Sequence, residues 1–234
     1  MLANASRTAG APRAGSAERG AVKRLLERFR NPNGSTQPPP VQDESSFFST
    51  MFIERGDDTS VLATWAARAA EVRAQPFDRR HGAELFSRLW SDDRHVAALG
   101  SADLVRMCQF LQFVSVPAGQ EVIGQDEQGD YLLIVLDGTL AVDRVQPWGG
   151  RTRLAEARAG EMLGEMSLLD AGARFSACTT LSPCTLAVVD ATRLDQMVQQ
   201  EPRLALAMLA ALSRRLSLRL RQVSARLSAL LSRS

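Results

Sequence analysis

The feature that most constrains the fold is a change in hydrophobic period at residue 113. From there to residue 190 the apolar residues form short runs, broken by turns at intervals of about 8–12 residues. The turns are Pro117-Ala118-Gly119, Glu127-Gln128-Gly129-Asp130, Asp137-Gly138 and Gly149-Gly150. The strand-like runs are YLLIVL, the alternating Leu140, Val142 and Val145, and, after an irregular stretch at 164–177, CTTL and CTLAVVD. This pattern predicts an antiparallel β-sandwich or barrel.

Both flanks of this β region have a helical period. The pattern predicts helices over 61–74 and 78–90 and a third that begins at Ser101. The first would be capped by Asp58, Thr59 or Ser60. After residue 191 the helical period returns, with an N-cap at Asp190 or Thr192, and Pro202 begins the last helix. The expected fold class is therefore α+β, a barrel flanked by N-terminal helices and a long C-terminal helix.

Composition divides the chain into four segments. Residues 1–46 are rich in Ala, Gly, Arg, Ser and Pro without periodicity, which predicts a disordered basic tail ending in a Pro-rich linker. The other three are a helical segment at 47–97, the barrel at 98–190, and C-terminal helices at 191–234. In the 47–97 segment, a cluster of large apolar residues indicates either core packing or a docking surface: Phe47, Phe48, Met51 and Phe52.

The last helix carries a heptad repeat. Its a positions are Leu206, Ser213, Leu220 and Leu227, and its d positions are Leu209, Leu216, Val223 and Leu230. This repeat predicts a homodimer through residues 204–234, with a helix packed on its own barrel as the alternative. The arginines of this segment would form the solvated face of a coiled coil or would contact nucleic acid nonspecifically: Arg214, Arg215, Arg219, Arg221, Arg226 and Arg233.

Several classes of protein are not expected. No run of 18 apolar residues is long enough for a transmembrane helix, and the first 46 residues lack the apolar region of a secretory signal. Cys108, Cys178 and Cys184 form no CxxC pair, so a reducing, cytoplasmic compartment is expected. His81 and His95 are too far apart to indicate a metal site. Known catalytic motifs are absent and general bases are few, so neither an enzyme nor a cofactor is expected.

One stretch, Leu163 to Ala177, has the residue types of an anion-binding loop. Its small residues would let the backbone approach a ligand closely. Arg174 could neutralise a phosphate, and Glu165 could accept a hydrogen bond from a sugar hydroxyl. Ser176 could donate one more hydrogen bond. The residues therefore predict either a sugar-phosphate pocket or a surface turn in which Glu165 and Arg174 pair with each other.

Residues 98–220 resemble the cyclic-nucleotide-binding domain family, which includes the catabolite-activator proteins and the regulatory subunits of cyclic-nucleotide-dependent kinases. The family's phosphate-binding cassette reads hydrophobic-Gly-Glu-x-small-hydrophobic, then a spacer, then Arg, a small residue and Ala. Leu163-Gly164-Glu165-Met166-Ser167-Leu168 matches its first part, and Arg174 follows after five residues. The resemblance implies an antiparallel jelly-roll barrel flanked by helices, with a binding function and no catalysis.

The resemblance also assigns roles within this cassette, residues 163–177. It implies that Glu165 binds the ribose 2′-hydroxyl and Arg174 the cyclic phosphate, assisted by backbone amides on both sides. The candidate ligand-binding residues are Gly164, Glu165, Met166, Ser167, Arg174, Phe175, Ser176 and Ala177.

The second half of the cassette departs from the family pattern. Phe175 stands where a small residue should follow the arginine. In the other register, Ser176-Ala177 is the expected pair and Phe175 stands where the arginine should be. Either register places a bulky side chain beside the phosphate.

The expected function is a cyclic-nucleotide sensor that signals through its C-terminal helix, with cAMP as the first ligand. A cyclic dinucleotide and a degenerate pocket without ligand are the alternatives that Phe175 leaves open. Alternative functions are a ligand-independent interaction scaffold that binds a partner protein and a transcriptional regulator that acts through a DNA-binding partner. In the family's transcription factors a winged helix-turn-helix follows the long helix, where this chain ends, so direct sequence-specific DNA binding is not expected.

Overall fold

Two antiparallel β-sheets lie at the centre of the chain. A computed structural model describes residues 46–54, 62–91 and 99–232. Among these, the strands are β1 (Gln75–Pro76), β2 (Gln112–Val116), β3 (Glu121–Ile123), β4 (Tyr131–Asp137), β5 (Thr139–Val145), β6 (Arg151–Arg158), β7 (Met162–Leu163), β8 (Ala177–Thr180) and β9 (Cys184–Asp190). One sheet has the order β1-β2-β9-β4-β7 and the other β3-β8-β5-β6. The predicted fold class, an antiparallel barrel flanked by helices, is confirmed.

Strand β4 lies between two apolar cores. Leu133 and Val135 pack among the side chains inside the barrel, whereas Leu132 and Ile134 pack against the helices outside it. Neighbouring strand residues point to opposite faces, so a strand covered on both sides must be apolar at successive positions. This explains why the run YLLIVL shows no alternation in the sequence.

Most of the helices pack on one face of the barrel, whereas α2 packs through Trp65 with the side chains inside it. They are α1 (Phe47–Glu54), α2 (Trp65–Glu71), α3 (Arg79–Trp90), α4 (Ser101–Met107), α5 (Glu165–Asp170), α6 (Ala191–Gln200) and α7 (Pro202–Leu231), and a short 3-10 turn at Cys108–Phe110 follows α4. The helices predicted over 78–90 and from Ser101 are confirmed. No helix of the described segments is long and apolar enough to cross a membrane.

Helix α2 is shorter than its predicted range of 61–74. The Thr64 side chain accepts a hydrogen bond from the backbone N–H of Ala67, which makes Thr64 the N-cap. Residue 63 instead forms an isolated bridge with Gly129 beside the barrel. The predicted caps at 58–60 lie outside the described residues. Leu62 and Ala63 therefore do not extend the helix.

The two C-terminal helices begin at predicted positions. Asp190 caps α6 by accepting a hydrogen bond of 2.8 Å from the backbone N–H of Arg193, and Pro202 is the first residue of α7. The first half of α7 packs on the protein's own core through Leu204, Ala205, Met208, Ala211 and Leu212. The a and d residues of its second half are exposed: Leu220, Val223, Leu227 and Leu230. Packing on the protein's own barrel therefore describes the first half of α7, and the homodimer through the exposed second half stays a prediction.

Helix α1 is anchored by a side chain from α6. Asp195 accepts hydrogen bonds from the backbone N–H groups of Phe48 and Ser49 at 2.8 and 2.9 Å, and from the Ser49 hydroxyl at 2.7 Å. Phe48 and Phe52 are buried in the helical core, whereas Phe47 is exposed. Two residues of the predicted apolar cluster, Phe48 and Phe52, therefore pack in the core.

Candidate ligand-binding site

The first part of the cassette forms a tight turn from β7 into α5. Gly164 occupies this turn with a φ of +80°, in the left-handed region that favours glycine. A Cβ atom at this position would also collide with the Arg174 guanidinium. Gly164 is thus required both by the backbone turn and by the arginine that packs against it.

Glu165 begins α5, and its carboxylate contacts the C-terminal helix. The side chain is only 5% exposed, and its Oε1 accepts a hydrogen bond of 2.7 Å from Nη1 of Arg219 on α7. Arg219 also donates to the backbone oxygen of Met162 at 3.3 Å. The carboxylate predicted to meet a sugar hydroxyl therefore lies against a cation from α7. The predicted surface turn, in which Glu165 and Arg174 pair, is not the arrangement found.

Arg174 points into the protein. It is only 3% exposed, and its guanidinium donates to the backbone oxygens of Gly164 at 2.6 Å and Tyr131 at 2.5 Å. Its Cζ atom lies 4.7 Å from the centroid of the Tyr131 ring. Burial lowers the pKa of the guanidinium, although an arginine remains charged at neutral pH. In this position Arg174 ties the cassette to β4, and its guanidinium is buried rather than presented to a ligand at the surface.

The backbone around Arg174 is also fixed. Its N–H donates to the oxygen of Glu127 at 2.8 Å, and its oxygen accepts from the N–H of Asp126 at 2.8 Å. The Glu127 carboxylate is bound by Arg68 of α2, and Trp65 of the same helix contacts the Tyr131 ring edge-on at 5.3 Å. The cassette is thus connected through the 126–131 turn to α2.

Phe175 turns outward, opposite in direction to Arg174. Its side chain is 57% exposed. Arg144 of β5 stacks over it, with Cζ 4.3 Å from the ring centroid, and donates a hydrogen bond to the Phe175 carbonyl oxygen. Of the two adjacent residues, the phenylalanine therefore faces outward and the arginine inward.

The end of β5 lies beside this pair. On β5, Leu140 and Val142 face the barrel interior, so Arg144 lies at the end of the same face. Ala155 of β6 is paired with Val142 yet is exposed. Ser176 is half-buried just before β8. We call the group Val142, Arg144, Ala155 and Ser176 the barrel mouth.

The remaining predicted site residues differ in exposure. Met166 is 50% exposed, whereas Ser167 and Ala177 are buried. Burial raises the pKa of the Cys178 thiol, next to Ala177 in β8, to about 12. No group of three or more metal-ligating side chains occurs among the described residues. The side chains around the cassette are therefore small residues, the Glu165 carboxylate and nearby arginines.

Sequence reasoning missed three arginines that contact the cassette region. Arg219 was assigned to a solvated face, and Arg144 was not considered. Arg215 of α7 donates to the Gly160 oxygen and lies 4.7 Å from the centroid of the Trp90 ring. The helical spacing of Arg215 and Arg219 from Met208 and Leu212 is a signal that could have placed both on the buried face of α7.

Comparison with known proteins identifies the barrel. Residues 113–201 match the family model described as "Cyclic nucleotide-binding domain". A CRP-like cAMP-activated global transcriptional regulator of Mycobacterium tuberculosis is 32% identical over 106 residues, which cover 45% of this chain and 47% of the relative. The cAMP-activated global transcriptional regulator CRP of Haemophilus influenzae is 30% identical over 109 residues, 46% of this chain and 49% of the relative. The chain thus spans about half the length of the curated relatives it matches.

Solved structures share the fold. A cyclic nucleotide-binding domain from Methylobacillus flagellatus has a TM-score of 0.60 at 24% identity, and the alignment covers 65% of this chain and 85% of that one. The Thermus thermophilus catabolite activator protein has a TM-score of 0.51 at 26% identity, covering 58% and 62%. Residues 113–201 thus match the cyclic nucleotide-binding domain family, and the solved structures share the antiparallel barrel fold.

Proposed function

We propose that this chain is a regulatory protein that binds a cyclic nucleotide, with cAMP as the first candidate, and signals through α7 without catalysis. The observation that carries the proposal is the buried Glu165 carboxylate in the first turn of α5, reached by a cation from α7. The curated relatives are named as cAMP-activated regulators, which supports cAMP as the first ligand to test.

The cassette offers donors and acceptors for such a ligand. The Glu165 carboxylate would accept a hydrogen bond from a ribose hydroxyl. The first backbone N–H groups of α5 have no partner within the helix and would donate to the ligand's phosphate. Gly164 and the small Ser167 would let the ligand approach this backbone.

The contact between Glu165 and Arg219 suggests how binding reaches α7. A ribose hydroxyl at Glu165 would share the carboxylate with Arg219 or displace it. The ligand would then bind one position of α7 more tightly than another, which is the condition for shifting a conformational equilibrium. Because the first half of α7 is buried in the core, the movement would be in the half beyond Leu212.

The exposed half of α7 would form the homodimer contact. Leu220, Val223, Leu227 and Leu230 are each more than half exposed and recur at heptad a and d positions. Such a stripe fits the same stripe of a second copy. We therefore expect ligand binding to change the strength or geometry of pairing.

Isothermal titration tests the ligand proposal. Wild type is titrated with cAMP, cGMP and cyclic di-GMP, alongside Glu165→Gln and the control Glu84→Gln, an exposed carboxylate on α3. Saturable binding that is lost in Glu165→Gln and kept in Glu84→Gln supports the proposal. The absence of heat and of any ligand-induced thermal shift with all three compounds overturns it.

A ligand-independent scaffold is the second candidate. It is favoured by the engagement of both expected ligand residues, Arg174 by two backbone carbonyls and Glu165 by Arg219. In that case the barrel positions α7 for a protein partner, and none of the three cyclic nucleotides alters stability or pairing.

A further inference from the structure

A cyclic nucleotide carries a negative phosphate, so its site needs a cation that is free to meet it. The arginine of the cassette does not have this freedom. The Arg174 guanidinium is buried and donates to the oxygens of Gly164 and Tyr131. Turning the buried guanidinium outward to an exposed phosphate would break both hydrogen bonds, one of them to the buried oxygen of Tyr131, which is costly. The cation should therefore be sought elsewhere around the cassette.

Arg144 lies outside the cassette in sequence, but its side chain contacts Phe175 in the second half of the cassette. It occupies the end of the interior-facing row of β5, after Leu140 and Val142. The pairing of Asp143 with Ala177 brings this end of β5 next to the start of β8. Arg144 thus reaches the barrel mouth from a rigid strand rather than from a loop.

Contacts with Phe175 fix the orientation of Arg144. The guanidinium stacks on the exposed ring at 4.3 Å, and Nη1 donates to the Phe175 carbonyl oxygen. Stacking uses the face of the guanidinium and leaves its edge, which carries the N–H donors. A guanidinium has five such donors, so most of this edge is open to a planar or tetrahedral anion.

One exposed small residue and one half-buried hydroxyl lie near this edge. Ala155, the partner of Val142 on β6, is exposed although it lies on the interior-facing side of the barrel mouth. Ser176, with its hydroxyl, immediately follows the stacked phenylalanine. An anion at this position would meet a cation, a hydroxyl and small side chains.

We propose that Arg144, stacked on Phe175, is the residue that binds the phosphate of the ligand, while Arg174 has become a structural arginine. This inference rests on the proposed cyclic-nucleotide function. In this arrangement the Phe175 ring holds Arg144 of β5 in position through the stacking contact.

Titration with a charged and an uncharged ligand tests the inference. Affinities for cAMP and for adenosine, which lacks phosphate, are measured for wild type, Arg144→Gln and the control Arg80→Gln, an exposed arginine on α3. Arg144→Gln should weaken cAMP binding at least about tenfold, as expected for a hydrogen bond to a charged group. It should leave adenosine affinity unchanged, and Arg80→Gln should leave both unchanged.

A second variant separates the platform from the charge. Phe175→Leu keeps Arg144 but removes the ring, and should weaken cAMP binding about two- to fivefold, as expected for an exposed cation–π contact. Unchanged cAMP affinity in Arg144→Gln, or equal weakening of cAMP and adenosine, overturns the role of Arg144 and leaves the proposed function standing. Failure of wild type to bind any cyclic nucleotide overturns both.

Discussion

Arg219 on α7 and Glu165 on α5 form an asymmetric ion pair across the cassette, joined at 2.7 Å. The glutamate side chain is 5% exposed, whereas the arginine side chain is 50% exposed. Removing the arginine leaves a buried carboxylate without its cation. Removing the carboxylate leaves an arginine that water can solvate. The two single substitutions therefore have unequal costs.

A double-mutant cycle tests this asymmetry. We expect Arg219→Ala to lower the free energy of unfolding by about 1–2 kcal/mol and Glu165→Gln by less than about 1 kcal/mol. In the Arg219→Ala background, Glu165→Gln should raise stability, because a neutral amide is cheaper to bury than an unpaired carboxylate. Urea unfolding of the four proteins measures these values. Additive effects of the two changes would show that the pair is not coupled in solution.

The Asp195 carboxylate accepts hydrogen bonds from the first residues of α1 and should contribute more to the free energy of unfolding than an exposed helix cap does. Asp195→Ala removes the acceptor of three hydrogen bonds and leaves two backbone N–H groups without a partner, so we expect a loss of about 2–4 kcal/mol. Ser49→Ala removes one of the three and should cost about 1 kcal/mol or less. Urea unfolding compares the variants. Equal costs would contradict the proposed anchoring of α1 by the Asp195 carboxylate.

Arg174 should behave as a structural residue whether or not ligand is present. Arg174→Met removes two hydrogen bonds to backbone oxygens and the contact with the Tyr131 ring, so stability should fall by about 2–4 kcal/mol. Arg80→Met, at a side chain that is 90% exposed, is the matched control and should change stability by less than about 0.5 kcal/mol. Thermal and urea unfolding without nucleotide are the measurements. A loss as small as that of the control would show that Arg174 does not tie the cassette to β4.

The three cysteines should be unreactive in the folded protein. All are buried, and burial raises the pKa of Cys108 and Cys178 to about 12 and that of Cys184 in the same direction. The thiolate fraction of the first two at about pH 8 is then about one part in ten thousand. Reaction with a disulfide reagent should be slow before unfolding and should release three thiols in denaturant. A rapid thiol in the native protein would show that one of these positions opens to solvent.

The exposed stripe of α7 should control self-association. Leu220→Asp with Leu227→Asp places charges on heptad a and should convert dimer to monomer in sedimentation experiments. Gln222→Asp with Ala229→Asp adds the same charge outside the a and d positions and should leave the dimer intact. Neither pair should lower the melting temperature of the barrel, because these residues lie beyond the part of α7 that packs in the core. Unchanged sedimentation of the first pair would overturn the dimer proposal.

The cassette shows the limits of sequence reasoning at two adjacent residues. Residue type and order located Gly164, Glu165 and Arg174 in one stretch of chain. In the structure this stretch consists of the turn into α5, α5 itself and the segment that leads to β8. Sequence reasoning left open which of two registers applies at Arg174 and Phe175. The structure turns Arg174 inward to two carbonyl oxygens and Phe175 outward beneath Arg144. The direction of a side chain in an irregular segment depends on partners that are distant in the chain, and no local period encodes it.

Most elements could be predicted from the sequence because local rules control them, although α5 lies in a stretch predicted to be irregular. Short apolar runs and glycine turns predicted the barrel strands, and Asp190 and Pro202 marked the starts of α6 and α7. The homodimer that the heptad predicts stays a prediction. The contacts between distant residues could be read only from the folded structure: Arg219 with Glu165, Asp195 with the start of α1, and Arg144 with Phe175. These pairs join residues 31 to 147 positions apart, so they form only when the barrel closes and the helices pack on it. Local propensity reaches over a turn or two, whereas the chemistry of this site depends on contacts that only the closed fold creates.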